Sequence, residues 1–208
     1  MKLRLFISFI VAVVSAVFFT LPIHSMAETA TETLKEGIEL ANNGKHKKAL
    51  DLYDRAIVLD PGIAHAYAYR SLTLIQLGRL DGAINDSKKA MELSQDRGVR
   101  LLSLSNLGAA YIKKGDYKLA VEPLKELISI DQNDPIPHFL LGEALRGIGG
   151  EDSLKKAEES YTKAIELDEN YALAYFFRAE VKRRLGDETG ADEDLKTACE
   201  RDESYCGK

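Results

Sequence analysis

Small residues return along the chain at intervals of about 34 residues, and this recurrence constrains the fold more than any other feature. Counted from residues 30, 64, 101, 135 and 172, each unit has a small residue at its eighth place. Most units also have glycine near the fifteenth place and alanine at the twentieth. Self-similarity with this period indicates an array of stacked supersecondary units. The eighth places hold Gly37, Ser71, Gly108, Gly142 and Ala179.

The spacing within each unit indicates two helices joined by a short turn. Apolar residues recur every three or four positions on both sides of the turn, as in Ala49, Tyr53 and Ala56. Glycine at the fifteenth place suits the left-handed conformation that ends a helix. The small residue at the eighth place allows close helix approach, and we expect the alanine at the twentieth place to meet it. Extra residues occur near residues 96–98 and 147–153, and we interpret 147–150 as an extended inter-helix turn.

These residues and spacings resemble the tetratricopeptide repeat, in five tandem units of about 30–63, 64–100, 101–134, 135–171 and 172–205. The resemblance implies an all-α, right-handed α-solenoid of helix-turn-helix repeats. It further implies a concave groove, lined by the first helices, that binds a protein or peptide segment. Some relatives bind acidic chaperone tails through a clamp of Lys, Asn and Arg. That clamp is absent here, where the matching places hold Leu34, Ile38, Tyr69, Leu102 and Asn106.

The resemblance also identifies the places that face the groove. They are apolar and aromatic towards the start of the array, with Phe and mixed charge, including Arg146, towards its end. This composition suits an extended or helical segment with apolar anchors. The alternative for Tyr69, Phe139 and Phe177 is packing between adjacent repeats. The candidate groove residues are Leu34, Ile38, His65, Tyr69, Leu72, Ile75, Gln76, Asn106, Ile112, Phe139, Glu143, Phe176, Phe177, Glu180 and Arg183.

Units two and five share an arginine and an aspartate separated by 16 residues. This separation places the two side chains on facing helices of one pair. We therefore predict ion pairs between Arg70 and Asp86 and between Arg178 and Asp194. The alternative is four unrelated surface charges. Either way, their role would be architectural.

The first 27 residues have the features of a cleavable export signal. Lys2 and Arg4 precede an apolar stretch from Leu5 to Leu21, and Ser25-Met26-Ala27 offers small residues at a cleavage site. We expect cleavage after Ala27, which leaves residues 28–208 as the repeat array with no direct membrane anchor. A retained anchor is the alternative. The expected location is the bacterial periplasm, with secretion as a second possibility.

Two cysteines lie near the carboxyl end of the chain. An oxidising compartment allows Cys199 and Cys206 to form a disulfide that pins the last helix. The alternative is a redox pair, although the spacing differs from Cys-x-x-Cys and no thioredoxin-like strand pattern surrounds it.

Charge and motif content narrow the function further. Without the signal, 26 basic and 33 acidic residues remain, and this excess of acid disfavours nucleic-acid binding. His46, His65 and His138 lie in different repeats, so no metal site or cofactor is expected, and no nucleophile has a positioned base. We predict a non-enzymatic protein–protein interaction scaffold or adaptor in the bacterial cell envelope, and a monomer is favoured over an oligomer. The alternatives are a self-associating envelope component and, less favoured, a thiol–disulfide redox protein.

Overall fold

A computed structural model describes residues 29–207 of the chain. The predicted export signal lies outside the described residues. The described part contains helices and turns without a strand, and a 3₁₀ helix, Glu203–Tyr205, follows the last α-helix. The α-helices are α1 (Ala30–Asn42), α2 (His46–Leu59), α3 (Ala64–Gln76), α4 (Leu80–Leu93), α5 (Arg97–Lys114), α6 (Tyr117–Ile130), α7 (Pro135–Ile148), α8 (Glu151–Leu167), α9 (Ala172–Leu185) and α10 (Glu188–Arg201).

The ten helices form five pairs that stack into an α-solenoid. Each helix packs against the next along the chain, and the first helices of successive pairs, α1, α3, α5, α7 and α9, also contact one another. The first helices therefore share one side of the array. The second helices, α2, α4, α6, α8 and α10, cover the other side.

Local sequence signals set the helix ends. Thr29 and Glu32 form a capping box at the start of α1, which satisfies backbone N–H groups that lack a partner within the helix. At the other end, Gly115 and Gly186 have φ of +85° and +90°, a left-handed conformation that L side chains rarely adopt. These residues fix the sharp reversals between paired helices.

The extra residues lengthen helices and leave the turns short. α5 has 18 residues and α8 has 17, whereas the other helices have 13 or 14. The interpretation of residues 147–150 as an extended turn is therefore wrong. α7 continues to Ile148, and only Gly149 and Gly150 separate it from α8. Three residues make nearly one helical turn, so the added length keeps the apolar face of α8 in register.

Helix pairs meet where the eighth place of the unit faces its twenty-fourth place. A Cβ atom added to Gly37 would lie 2.7 Å from the ring of Tyr53, and one added to Gly142 would lie 2.6 Å from the ring of Tyr161. In the second unit the eighth place is Ser71, whose hydroxyl lies 2.7 Å from that of Ser87. A Cβ atom on Gly108 would likewise lie 2.5 Å from Leu124. The residues at the eighth and twenty-fourth places thus pack directly against each other, and the Ser71 hydroxyl also donates to the backbone carbonyl of Ala83, at the twentieth place.

The buried apolar side chains form two main clusters along the array. The larger runs through α1–α6 and reaches Ala144 of α7. The second surrounds Phe139 and Tyr161 and continues to Val181 of α9. The second cluster lies directly beneath the later part of the candidate groove.

Candidate protein-binding groove

The early half of the groove is an apolar surface on α3 and its neighbours. His65, Tyr69, Leu72 and Gln76 follow one another at spacings of four, three and four residues, so they share one face of α3. His65, Leu72 and Gln76 are exposed, and Leu72 exposes 38% of its surface. Tyr69 is half-buried, as are Ile38 of α1 and Ile112 of α5.

Four predicted groove residues are buried in the array. Leu34, Ile75 and Phe139 belong to the apolar core. Asn106 is also buried, and its side-chain amide donates a hydrogen bond to the backbone carbonyl of Ala68, at 2.9 Å. This bond connects α5 to α3 across a repeat boundary. These four side chains support the groove from below and are not open to a partner.

Aromatic rings connect units four and five beneath the later half of the groove. The Phe139 ring lies 5.1 Å from that of Tyr171 and 5.9 Å from that of Phe177, measured between centroids. The Phe176 ring lies 5.3 Å from that of Phe177 and 5.1 Å from that of Tyr205. For Phe139 and Phe177 the packing is thus between repeats. Phe176 and Phe177 remain half-buried, so their rings are partly open.

A network of charged side chains lies on this aromatic surface. The Arg146 guanidinium donates to both carboxylate oxygens of Glu143, each at 3.1 Å, and to Glu180 at 2.9 and 3.1 Å. It also lies 4.7 Å from the centroid of the Phe177 ring, a cation–π distance. The Tyr161 hydroxyl donates a hydrogen bond to Glu143. The network holds the two glutamates in place and occupies Arg146.

The Tyr161 hydroxyl stays protonated in this network. Burial raises the pKa of Tyr161 far above its usual value of 10, and the adjacent Glu143 carboxylate raises it further. Tyr161 lies on the second helix of its unit, so the rule for groove-facing places on the first helix missed it. The signal that identifies it is the tyrosine at the twenty-fourth place opposite Gly142.

Arg183 does not join the network. Its guanidinium lies 3.3 Å from Glu188 and 3.2 Å from Asp192, both on α10. Arg184 of α9 lies 3.9 Å from Glu180. Of the groove residues predicted at this end, Glu143 and Glu180 belong to the network, whereas Arg183 pairs with α10.

Each of the two Arg–Asp pairs joins the first helix of its unit to the second. Arg70 donates two hydrogen bonds to Asp86, both at 2.7 Å, and Arg178 donates two to Asp194, at 2.8 and 2.6 Å. Each arginine also reaches the preceding repeat. Arg70 lies 2.5 Å from Asp54, and Arg178 donates to the hydroxyl of Thr162 at 3.0 Å. The arginines thereby join consecutive units, an architectural role.

The structure brings Cys199 and Cys206 together at a distance suited to a disulfide, with Cα atoms 4.6 Å apart. The segment after α10 lies against the last unit, where Tyr205 packs on Phe176. Within residues 29–207, no group of three His, Cys, Asp or Glu side chains has an arrangement suited to a metal ion. None of the described helices combines the length and apolar character needed to cross a membrane.

Comparisons with known families and proteins agree with this architecture. A model described as "Tetratricopeptide repeat" matches residues 34–91, one described as "TPR repeat" matches 108–149, and a further "Tetratricopeptide repeat" model matches 150–171. The Protein STIP1 homolog of Dictyostelium discoideum is 31% identical over 105 residues, which are 50% of this chain and 18% of that protein. Human Tetratricopeptide repeat protein 13 is 30% identical over 132 residues, 60% of this chain and 14% of that protein. The chain thus spans less than a third of the length of these curated relatives.

Solved structures share the fold. Residues 41 to the end of MamA from Desulfovibrio magneticus RS-1 superpose with a TM-score of 0.76 at 21% identity, covering 88% of this chain and 100% of that one. YrrB, described as a TPR protein with an unusual peptide-binding site, gives a TM-score of 0.67 at 22% identity, covering 83% and 86%. The repeat spacing, the helix pairs, the family models and these structures agree, and the chain belongs to the tetratricopeptide repeat family.

Proposed function

We propose that this protein is a non-enzymatic scaffold that binds an extended or helical segment of a partner protein in its concave groove. The observation that carries the proposal is the face of α3 that contains Tyr69 and Leu72, on the side of the array that the first helices share. Leu72 is 38% exposed and Tyr69 is half-buried. Exposed apolar side chains grouped in a concave surface commonly mark a protein-binding site. The family match and the peptide-binding site named for YrrB support the same class of function.

The later half of the groove defines the chemistry of the partner. Arg146 is fully engaged by Glu143 and Glu180, so it offers little to an acidic tail. The accessible groups are instead the Glu180 carboxylate, 41% exposed, and the partly exposed rings of Phe176 and Phe177. A partner segment with apolar anchors along its length, and with a basic or hydroxyl group facing the later half of the groove, would complement both halves of the groove.

The proposed location is the periplasm of a bacterial cell envelope. The features of residues 1–27 support export, and the pairing of Cys199 with Cys206 suits an oxidising compartment. Fractionation of cells that express the full chain would test this, together with the intact mass of the product. The expected product lacks residues 1–27 and has no titratable thiol. A cytosolic product of full mass with two thiols would contradict it.

The groove assignment can be tested by capture from envelope extract of the source bacterium. The test variant is Tyr69→Ala/Leu72→Asp, and the matched control is Val58→Asp, an 80% exposed position on α2. Quantitative mass spectrometry should show a partner retained by the wild type and the control and lost from the groove variant, with helical circular dichroism unchanged. Retention of the same partner by all three proteins would refute the assignment.

Self-association remains the alternative function, and we propose a monomer. Sedimentation velocity over a range of concentrations separates the two. A concentration-independent species of monomer mass supports a scaffold for other proteins, whereas a defined oligomer would support the structural role.

A further inference from the structure

A cleft of about 560 Å³ opens on the opposite side of the array, between the second helices α6 and α8. Its floor is apolar and comes mainly from α7, whose Leu141, Leu145 and Ile148 lie at spacings of four and three residues. Val121 of α6 completes the floor. We call this feature the seam cleft. It does not involve the groove residues.

The seam cleft occupies the position at which an arginine side chain fills two other repeat boundaries. Arg70 and Arg178 occupy the seventh place of their units and contact side chains on both flanking second helices. In the fourth unit the seventh place is Leu141. The positions matching the arginine's two partners are Lys125 of α6 and Ser160 of α8, and both line the cleft.

The register supports this correspondence. Arg70 and Arg178 each lie 16 residues before their aspartate, and Leu141 lies 19 residues before Ser160 because α8 is three residues longer. Gly142 likewise lies 19 residues before its contact residue Tyr161, whereas Gly37 lies 16 residues before Tyr53. A leucine cannot bridge two helices by ion pairs, and at the boundary between α6 and α8 the apolar floor of the cleft is half-buried. The third unit also has leucine at its seventh place, but Leu107 is buried.

The residues that line the seam cleft carry a net positive charge. Three lysines, Lys118 and Lys125 of α6 and Lys156 of α8, line it together with two glutamates, Glu122 and Glu159. Among the described residues no ion pair involves Lys118 or Lys156, and the partner of Lys125 is Glu122, whose side chain is 83% exposed. Exposed pairs of this kind are weak and are easily exchanged for a better partner. A smaller cleft of about 350 Å³ continues from the first and shares Lys118 and Ile148 with it.

We propose that the seam cleft is a second docking site, and that its occupant is an acidic amphipathic helix of a partner protein. Apolar side chains at spacings of four and three would pack on Leu141, Leu145 and Ile148, as ridges of one helix fill grooves of another. Carboxylates on the flanks of that helix would pair with Lys118, Lys125 and Lys156. The site is separate from the groove of the proposed function, so either can fail without the other.

The test uses two synthetic 14-residue helical probes that share leucines at spacings of four and three residues. One carries glutamate on its flanks, and the other carries lysine at the same positions. Fluorescence anisotropy with the full repeat array at low salt should show the acidic probe binding at least about tenfold more tightly, and added salt should reduce the difference. The variant Lys118→Glu/Lys125→Glu/Lys156→Glu should reverse this preference.

A second variant fills the cleft with the side chains found at two other boundaries. Leu141→Arg/Ser160→Asp introduces the arginine and aspartate of units two and five and should reduce acidic-probe binding at least about tenfold. Leu145→Glu serves the same purpose if the double variant does not fold. The matched control, Lys89→Glu/Lys163→Glu/Lys196→Glu, reverses three lysines on second helices that do not line the cleft and should leave binding unchanged.

The proposal is overturned by equal affinity for the two probes, or by binding that survives both cleft variants. It is also overturned if the wild type sediments as an oligomer that the Lys118→Glu/Lys125→Glu/Lys156→Glu variant dissociates, because the occupant would then be a second copy of this chain. Loss of binding in the cleft variants alone supports it. The Tyr69→Ala/Leu72→Asp groove variant should bind the acidic probe like the wild type.

Discussion

Replacement of Gly142 by alanine should destabilise the fourth repeat in spite of the better helix propensity of alanine. The new Cβ atom would lie 2.6, 2.7 and 2.9 Å from three atoms of the Tyr161 ring. That ring is fully buried, packs against Phe139 and Phe177, and is held at its hydroxyl by Glu143. Overpacking of this kind costs about 2–3 kcal/mol, and the gain in helix propensity returns about 1 kcal/mol. The expected net loss of unfolding free energy is about 1–2 kcal/mol.

Urea and thermal denaturation followed by circular dichroism measure this loss, which corresponds to a melting temperature lower by about 3–6 °C. Gly82→Ala is the control, because its nearest side-chain contact is the end of a flexible leucine and α4 should gain stability or stay unchanged. Gly142→Ala/Tyr161→Leu removes the ring that the new Cβ atom meets and should lose less stability than the two single losses added together. If Gly142→Ala is as stable as the wild type, or if the double variant shows no such coupling, direct packing between the eighth and twenty-fourth places is refuted.

Three further results are expected. Asp194→Ala should lower the unfolding free energy by about 3 kcal/mol, because it leaves the largely buried Arg178 guanidinium without its carboxylate; chemical denaturation measures this, and a loss below about 1 kcal/mol would contradict it. Burial lowers the pKa of His138 below 6.5, so the unfolded chain binds the proton at a higher pH than the folded chain does. The unfolding free energy should therefore fall as the pH drops below about 6.5. His138→Gln should weaken this dependence in denaturation curves between pH 5 and 8, and an unchanged slope of unfolding free energy against pH would refute it. Reduction of the predicted bond between Cys199 and Cys206 should lower the local stability of the end of α10 by about 2–3 kcal/mol. Amide hydrogen exchange there should become faster, and equal exchange rates in the oxidised and reduced proteins would contradict this.

The sequence predicts the repeat period and the turn glycines because both have simple local causes. The 3.6-residue pattern indicates helices, and Gly115 and Gly186 meet a conformational need that few other residues can meet. The 16-residue separation of Arg70 and Asp86 similarly fixes which faces meet once helix length and turn length are known. Such features depend on residues within one unit.

Features that depend on two units are harder to predict. Asn106 occupies a place that faces the groove in relatives, yet here it is buried by the neighbouring helix and bonds to Ala68. The extra residues before Ser153 can lengthen either a turn or a helix, and two glycines suit both. The choice depends on whether Leu154 and Ala157 keep their buried contacts, which requires a nearly whole helical turn. Periodicity alone contains no measure of that packing.

α7 supplies residues to both proposed binding surfaces, so their independence is itself testable. Leu141 and Leu145 contribute to the seam cleft, whereas Arg146 belongs to the groove network. Arg146 and the pair Leu141/Ser160 have no contact in common among those described. Effects of Arg146→Ala and Leu141→Arg/Ser160→Asp on unfolding free energy should therefore add within about 0.5 kcal/mol when combined. A deviation above about 1 kcal/mol, measured by denaturation of the single and combined variants, would show that α7 couples the two surfaces, and binding at one would then alter affinity at the other.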